Sequence, residues 1–153
     1  MFITHVTNAL TAHGVPYAIA GGHAVALHGA LRGTVDIDFV IRWQKKHVRA
    51  AEQALNSIGL VSRLPITADD AFNFRTEYIQ RRNLIDWSFY NPAHQDQQVD
   101  LLIHFDLGRK KTLTAHTHEG DIRYLNKADL IAMKRASGRP QDLADIEALE
   151  SLP

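Results

Sequence analysis

The segment Asp36-Ile37-Asp38-Phe39-Val40 carries two aspartates, two positions apart, in an otherwise apolar run. In a β-strand, residues i and i+2 point to the same face, with Cα atoms roughly 6.5 Å apart. Asp36 and Asp38 are therefore expected to share one face of a strand over residues 35–41. Two carboxylates this close repel each other and lose hydration, which is unfavourable unless a cation lies between them. The pattern predicts a divalent metal site on one face of this strand.

Two glycines, Gly21 and Gly22, end a short apolar segment that is predicted to be a strand over residues 17–20. Small apolar residues then predict a helix over residues 23–31 that packs closely on a sheet. Glycine lets backbone amides approach phosphate oxygens, and the N-terminus of a helix favours anions. A glycine turn that faces a divalent cation predicts a phosphorylated nucleotide as ligand. His23 follows the glycines and is a candidate phosphate contact.

A third acid, Asp100, lies alone in an apolar strand predicted over residues 98–103. An isolated acid of this kind also fits a strand end that is exposed to water. Beside the Asp36–Asp38 strand, however, Asp100 becomes a candidate third metal ligand. Because all these ligands are oxygen, Mg²⁺ or Mn²⁺ is favoured over zinc or copper.

Helix-like and strand-like patterns alternate along the rest of the chain. Further helices are predicted over residues 2–13, 44–58, 67–79, 127–136 and 141–149, and further strands over 60–64, 84–90 and 122–125. An irregular segment is an alternative for residues 67–79, and residues 105–119 show no clear pattern. The alternation predicts an α/β (α+β) fold, a mixed sheet flanked by helices. We expect one domain over residues 1–153, with a core over 15–125 and C-terminal helices over 126–150.

Composition excludes several kinds of site and partner. The 153 residues contain no cysteine, which rules out disulfides, thiolate zinc sites and cysteine nucleophiles. Lysine plus arginine equals aspartate plus glutamate, at 17 each, so net charge does not indicate a nucleic-acid partner. No segment approaches the roughly 20 apolar residues of a membrane span. The first residues do not resemble a signal peptide, and we expect a cytoplasmic protein without membrane contact.

Two other clusters have competing interpretations. His116 and His118 share one strand-like face, but no third zinc ligand is evident by spacing. Aromatic residues between positions 72 and 90 lie among Arg75, Arg81 and Arg82. They would suit either a stacking platform for a base or the core of the sheet. The alternation of Ile85, Trp87 and Phe89 favours the core.

The order of strand, Gly-Gly, helix and Asp-x-Asp strand resembles the nucleotidyltransferase superfamily that shares the DNA polymerase β-type palm. A second match lies near the C-terminus, in Ala128–Lys134 and in Gly138-Arg139-Pro140-Gln141-Asp142 through Ile146. It resembles the AbiEii/AbiGii toxin-type branch, whose members carry a helical lysine followed by a Lys/Arg-Asp-x-x-Asp helix. The matching segments, about half the chain, cover residues 15–42, 97–103 and 121–149. Gln141 departs from this pattern, because a basic residue usually stands there.

The resemblance implies a role for each matching residue. Asp36, Asp38 and Asp100 would be the catalytic, metal-binding carboxylates, and Asp100 is the best candidate base. Nucleotide-binding roles would fall to Gly21, Gly22, Lys134 and Asp142. Lys134 would steady the triphosphate as a point charge, and Asp142 would lie near the nucleotide or orient Lys134. Without the resemblance, a solvated helix position explains Lys134, and the helix dipole, which favours an acid in the first turn, explains Asp142.

Arg32 precedes the Asp36–Asp38 strand. It is a candidate for binding a phosphate or for pairing with one of these aspartates.

The sequence thus predicts a Mg²⁺- or Mn²⁺-dependent nucleotidyltransferase that moves a nucleoside monophosphate from a nucleoside triphosphate, such as ATP, to an acceptor. RNA, a protein and a small molecule are the candidate acceptors. The resemblance also implies a toxin-like context, with an antitoxin-like partner or a homo-oligomer. We see no large C-terminal helical segment, so a second subunit, the aromatic segment or another protein is expected to hold the acceptor. Alternatives are a non-catalytic nucleotide-binding or regulatory module and a metal-dependent nuclease.

Overall fold

Seven strands form a single mixed sheet in the computed structural model, which describes residues 1–33 and 36–153. In chain order, the strands are β1 (Tyr17–Ala20), β2 (Ile37–Ile41), β3 (Val61–Ser62), β4 (Asp86–Asn91), β5 (His94–Asp106), β6 (Thr112–Thr117) and β7 (Gly120–Leu125). Their order across the sheet is β3-β4-β5-β2-β1-β7-β6. Of the strand predicted over 35–41, residue 35 lies outside the described residues.

Seven helices accompany this sheet. They are α1 (Phe2–Ala12), α2 (Gly21–Leu27), α3 (Lys45–Ser57), α4 (Ala68–Asn73), α5 (Arg75–Arg81), α6 (Lys127–Ser137) and α7 (Pro140–Glu150). None of these described helices is long and apolar enough to span a membrane. The mixed sheet with flanking helices confirms the predicted fold class.

The pairing of the strands decides which side chains become neighbours. β1 pairs antiparallel with β2, and β2 pairs parallel with β5. In this register, Asp38 lies opposite Ala20 on one side and Asp100 on the other. β4 and β5 form an antiparallel hairpin that places Ser88 beside Asp100. β2 and the β4–β5 hairpin, which are distant in sequence, therefore meet around one point.

The core is filled by alternate residues of the central strands. Ile37, Phe39 and Ile41 are buried, as the strand pattern around the two aspartates predicts. Trp87 and Phe89 are fully buried, with ring centroids 4.6 Å apart, which confirms the core interpretation for these two aromatics. Ile85, predicted on the same strand face, instead precedes β4 and is 39% exposed.

The helix after Gly21 and Gly22 differs from the prediction of residues 23–31. It begins at Gly21 and ends at Leu27 because Gly29 adopts a φ of 112°. The amide of Gly29 donates to Ala26 O and the amide of Ala30 to Val25 O, the pattern of a Schellman motif. Leu31 lies beyond this end and is fully exposed instead of packing on the sheet.

The segment without a clear sequence pattern, residues 105–119, contains a strand. β6 pairs antiparallel with β7 at the edge of the sheet, where most of its side chains are exposed or half-buried. An edge strand without a buried face lacks the apolar alternation that marks a strand in sequence. β5 also extends further than predicted, from His94 to Asp106, whereas β3 has only two residues.

Two helix boundaries follow from local capping. The single helix predicted over 67–79 is divided at Phe74 into α4 and α5, and Thr67 caps α4 through a capping box with Asp70. At the C-terminus, α6 ends at Gly138, whose φ is 64°, and Pro140 opens α7. The short connection makes α6 and α7 a packed helical pair.

Candidate active site

Two rows of polar side chains cross β4, β5 and β2 on one face of the sheet. In the first row, Ser88, Asp100 and Asp38 are register partners. In the second row, Tyr90 is paired with Gln98, and Asp36 stands two residues before Asp38 in the chain. The structure therefore brings together Asp36, Asp38 and Asp100, the three carboxylates that the sequence singled out.

Hydrogen bonds join the two rows. Ser88 Oγ donates to Asp100 Oδ1 at 2.7 Å, and the Gln98 amide donates to the same oxygen at 3.2 Å. The Gln98 amide also donates to Asp36 Oδ2 at 3.3 Å. Asp38 and Asp100 are register partners on adjacent strands, close enough for the charge of Asp100 to act on the Asp38 carboxyl. Two neutral side chains thus hold Asp36 and Asp100, and Asp38 lies beside Asp100.

The electrostatic environment disfavours ionisation of these acids. Burial, followed by the charges of Asp100 and Asp86, raises the pKa of Asp38 from 3.8 to about 7. Burial and the charge of Asp100 also raise the pKa of Asp36, although Arg63 and His23 oppose the shift. A pair of like charges in one site raises pKa values until a cation offsets them. Metal-free, this site therefore retains a proton on Asp38 near neutral pH.

The donor set fits a hard divalent cation. All three carboxylates supply oxygen ligands, which suit Mg²⁺ or Mn²⁺, and a cation would replace the proton held by Asp38. The described residues contain no group of three or more histidine, aspartate or glutamate side chains already placed to hold a metal.

Gly21 lies directly against Asp38. Its φ is 61°, and a Cβ at this position would overlap Asp38 Oδ2 and lie 2.9 Å from Asp38 Cγ. Gly22 is buried in the first turn of α2, and His23 follows it on the same helix, with an electrostatic effect on Asp36. Of the three residues that were predicted to contact phosphate, Gly21 therefore lies against Asp38, and Gly22 and His23 follow it in the same helix.

Lys134 and Asp142 lie in a buried ionic cluster between α6 and α7. Lys134 is 6% exposed, and its Nζ lies 2.8 Å from Asp145 Oδ2 and 3.5 Å from Asp142 Oδ1. Burial opposes ionisation of Asp142, but hydrogen bonds from Arg139 and Ser137 outweigh it and lower the pKa of Asp142 to about 2. Lys134 is thus neutralised by two ionised carboxylates, and Asp142 lies where it helps to orient the ammonium group.

Arg32 belongs to the same cluster. Its Nε lies 3.1 Å from Asp145 Oδ1, and its guanidinium also donates to Gly33 O at 2.6 Å. Arg32 therefore pairs with Asp145, not with Asp36 or Asp38. Gln141, at the position where the related pattern has a basic residue, donates to Asp145 at 3.0 Å. This ionic cluster ties the C-terminal helices to the segment that leads into β2.

Sequence reasoning missed two charged residues near the carboxylates. Asp86 lies on the same face of β4 as Ser88; its pKa is raised by desolvation and by the charge of Asp100. The alternation around the buried Trp87 was a signal for this placement, because the neighbours of a core residue face the other side. Arg139 precedes α7. Its hydrogen bond to Asp142 is the main cause that raises the pKa of Arg139, and the charges of Asp86 and Asp38 raise this pKa further. Its position depends on the tertiary packing of α7.

Solved structures with the same fold include several nucleotidyltransferases. The lincomycin-bound lincosamide antibiotic adenylyltransferase LnuA superposes with a TM-score of 0.66 at 13% identity, covering 99% of this chain and 96% of LnuA. An antigenic nucleotidyltransferase-like protein from Paracoccidioides brasiliensis gives 0.61 at 17% identity, covering 96% of this chain and 72% of that protein. The antibiotic-resistance factor ANT(2'')-Ia gives 0.58 at 14% identity, covering 97% and 79% of the two chains. At these identities the likeness establishes the fold.

Sequence comparison identifies the family. A search of the curated proteins found no match. A family model described as a nucleotidyltransferase of unknown function (DUF6036) matches residues 3–151, nearly the whole chain. This match agrees with the strand, glycine turn and aspartate pair from which the nucleotidyltransferase resemblance was drawn. The chain belongs to the DUF6036 family of nucleotidyltransferases.

Proposed function

We propose that this nucleotidyltransferase moves a nucleoside monophosphate from a nucleoside triphosphate to the hydroxyl group of a small molecule, with Mg²⁺ or Mn²⁺. The observation that carries the proposal is the meeting of Asp36, Asp38 and Asp100 against the turn at Gly21. Held by these carboxylates, the cation would offset the charge of the triphosphate and of the attacking oxygen.

The residues of the chain have separate tasks in this reaction. The acceptor oxygen forms a bond to the α-phosphorus, the bond from that phosphorus to the bridging oxygen breaks, and pyrophosphate leaves. Asp100 receives the proton of the acceptor hydroxyl, since Ser88 and Gln98 fix one of its oxygens in place. Gly21 and Gly22, in the first turn of α2, are candidate phosphate contacts. His23 is a further candidate phosphate contact.

Lys134 acts on the triphosphate differently from an exposed lysine. Because its ammonium is enclosed by Asp142 and Asp145, it stabilises the phosphates as part of the ionic cluster that also includes Arg32. A direct contact would require Lys134 to leave one of these carboxylates. Asp142 supports the cluster by orienting Lys134.

A small-molecule acceptor is supported by the neighbours in fold. LnuA is a lincosamide antibiotic adenylyltransferase with lincomycin bound, and ANT(2'')-Ia has been solved with adenylyl-2''-tobramycin. Both therefore involve adenylyl groups and small molecules. The AbiEii-type resemblance of α6 and α7 predicts a toxin-like setting with an antitoxin-like partner, in which RNA, a protein or a small molecule is the acceptor. Labelling distinguishes these acceptors.

The decisive experiment uses Asp36→Asn and Asp38→Asn. Each variant keeps the shape of the side chain but loses the charge that holds the cation, so transfer should fall by at least about 1,000-fold while the fold persists. The measurements are the release of pyrophosphate and the transfer of label from each of four α-labelled nucleoside triphosphates to the metabolite, RNA and protein fractions of a cell extract. Asp121→Asn is the matched control, because Asp121 is exposed on β7, which β1 separates from β2.

Full turnover in both variants would exclude the mechanism. Label in the metabolite fraction supports the small-molecule acceptor, whereas label in RNA or protein overturns that part of the proposal. Cleavage of RNA or DNA without any triphosphate would indicate the nuclease alternative. Nucleotide binding without pyrophosphate release from any fraction would indicate a regulatory module.

A further inference from the structure

A chain of side chains connects Tyr90 on β4 to the carboxylates. The Arg63 guanidinium lies over the Tyr90 ring, 4.1 Å from its centroid, and its Nε donates to Gln98 Oε1 at 3.1 Å. The amide nitrogen of Gln98 then donates to both Asp36 and Asp100. The two acids, which belong to different segments of the chain, are thereby linked through one amide group.

The chemistry of the groups allows only one orientation of this amide. Arginine has only donors, so the oxygen of Gln98 must face Arg63, and its NH₂ group must face the carboxylates. Arg63 is itself held in place, because its backbone amide donates to Ser88 O at 2.9 Å. The same strand, β4, thus anchors Arg63 through the backbone at Ser88 and through the ring of Tyr90.

A neutral side chain has a particular advantage at this point. A lysine or arginine at position 98 would hold the two carboxylates together by neutralising them, and it would compete with an incoming cation. The Gln98 amide satisfies their oxygens without cancelling their charge. Arg63 is positively charged, but it contacts the amide oxygen of Gln98, so Gln98 lies between this charge and the carboxylates.

We propose that Gln98 is a positioning residue, which holds Asp36 and Asp100 at a fixed separation for a divalent cation, and that Arg63 sets the orientation of its amide. This inference rests on the proposed function. Partners of metal ligands typically change metal affinity by about 10–100-fold when they are replaced. Gln98 acts on the ligands in this way and does not itself contact the substrate.

The test is the dissociation constant of Mn²⁺, measured on the full chain by electron paramagnetic resonance without nucleotide. Gln98→Met retains the length of the side chain but removes the amide, and it should weaken Mn²⁺ binding by about 10-fold or more. Gln97→Met is the matched control, because Gln97 is the adjacent residue on β5 and accepts a hydrogen bond from Asn91 instead. It should leave Mn²⁺ binding unchanged.

Arg63→Met separates positioning from simple electrostatics. Removing a positive charge near Asp36 would by itself strengthen binding of a cation. If Arg63 orients the amide of Gln98, Arg63→Met should instead weaken Mn²⁺ binding by several-fold. The double variant Arg63→Met/Gln98→Met should bind Mn²⁺ no more weakly than Gln98→Met alone, since both residues act through one amide group. Arg63 is exposed, so this variant provides the test even if Gln98→Met fails to fold.

The outcomes distinguish this inference from the function on which it rests. If the wild-type chain binds Mn²⁺ and Asp38→Asn abolishes binding, the metal site stands. Unchanged affinity in Gln98→Met, or tighter binding in Arg63→Met, then overturns the positioning role alone. If the wild-type chain does not bind Mn²⁺, both the metal site and the role of Gln98 are excluded.

Discussion

Gly21 shows how a single residue controls the geometry of the site. Its positive φ favours glycine, since other residues are strained in this conformation. The absence of a side chain also leaves the space that the Asp38 carboxylate occupies. The backbone conformation and the close packing against Asp38 therefore both require glycine at position 21. A glycine after a strand is recognisable in sequence, but its contact with Asp38 depends on the pairing of β1 with β2.

Gly21→Ala should damage the site by displacing Asp38. We expect a loss of about 1–3 kcal/mol in the free energy of unfolding, because the alanine is strained and clashes. Nucleotidyl transfer should fall by at least about 10-fold, since about 1.4 kcal/mol of lost transition-state stabilisation has that effect. Urea denaturation and pyrophosphate release provide the measurements. Gly33→Ala is the control, because no atom lies within 4 Å of a Cβ there. Equal behaviour of the two variants would contradict the close approach.

The helical pair α6–α7 carries the buried ionic cluster at the scale of elements. Its capping was predictable, since Asn126, Gly138 and Pro140 mark its boundaries in the sequence. The burial of Lys134 was not, because a lysine in an amphipathic helix is usually solvated. Only the packing of α7 on α6, with Asp142 and Asp145 on the facing side, encloses its ammonium group.

Lys134→Met should destabilise the protein strongly. It leaves Asp142 and Asp145 buried without their shared cation, and breaking a buried ion pair typically costs about 3–5 kcal/mol. We expect the low end of that range, since Arg139 and Arg32 still pair with these acids. The measurement is the free energy of unfolding in urea.

Arg135→Met provides the comparison for Lys134→Met on the same helix. Arg135 forms an exposed salt bridge with Glu150, and such pairs contribute less than about 1 kcal/mol. A loss of stability in Lys134→Met no larger than in Arg135→Met would show that the cluster is not needed for folding.

At the scale of the whole molecule, the site is a source of instability that depends on pH. The pKa of Asp38 in the metal-free fold is about 7, against an ordinary value of 3.8. Between these pH values the native state binds more protons than the unfolded state. The free energy of unfolding therefore decreases as the pH rises from about 4 to 7. Burying acids together is unfavourable for folding but prepares the site for a cation.

Asp38→Asn should remove the part of this dependence that Asp38 contributes. At pH 8, in the presence of a chelator, we expect the variant to be more stable than wild type by up to about 4 kcal/mol, since the pKa of Asp38 is raised from 3.8 to about 7 and each unit corresponds to about 1.4 kcal/mol. At pH 4 the difference should be small, because wild-type Asp38 is then protonated. Urea unfolding across this pH range measures the effect. A difference that does not change with pH would contradict the raised pKa of Asp38.

The sequence by itself determined which residues of β2 face the core and which carboxylates are candidates for the chemistry. Alternation in β2 places Asp36 and Asp38 opposite a buried apolar face, because the repeat of a strand is local. Order along the chain could not show that β2 lies beside β5, which brings Asp100 next to Asp38. Nor could it show that Arg63 reaches Gln98, or that Asp142 and Asp145 enclose Lys134. These contacts join residues far apart in the chain, so they exist only once the sheet and the helical pair have assembled.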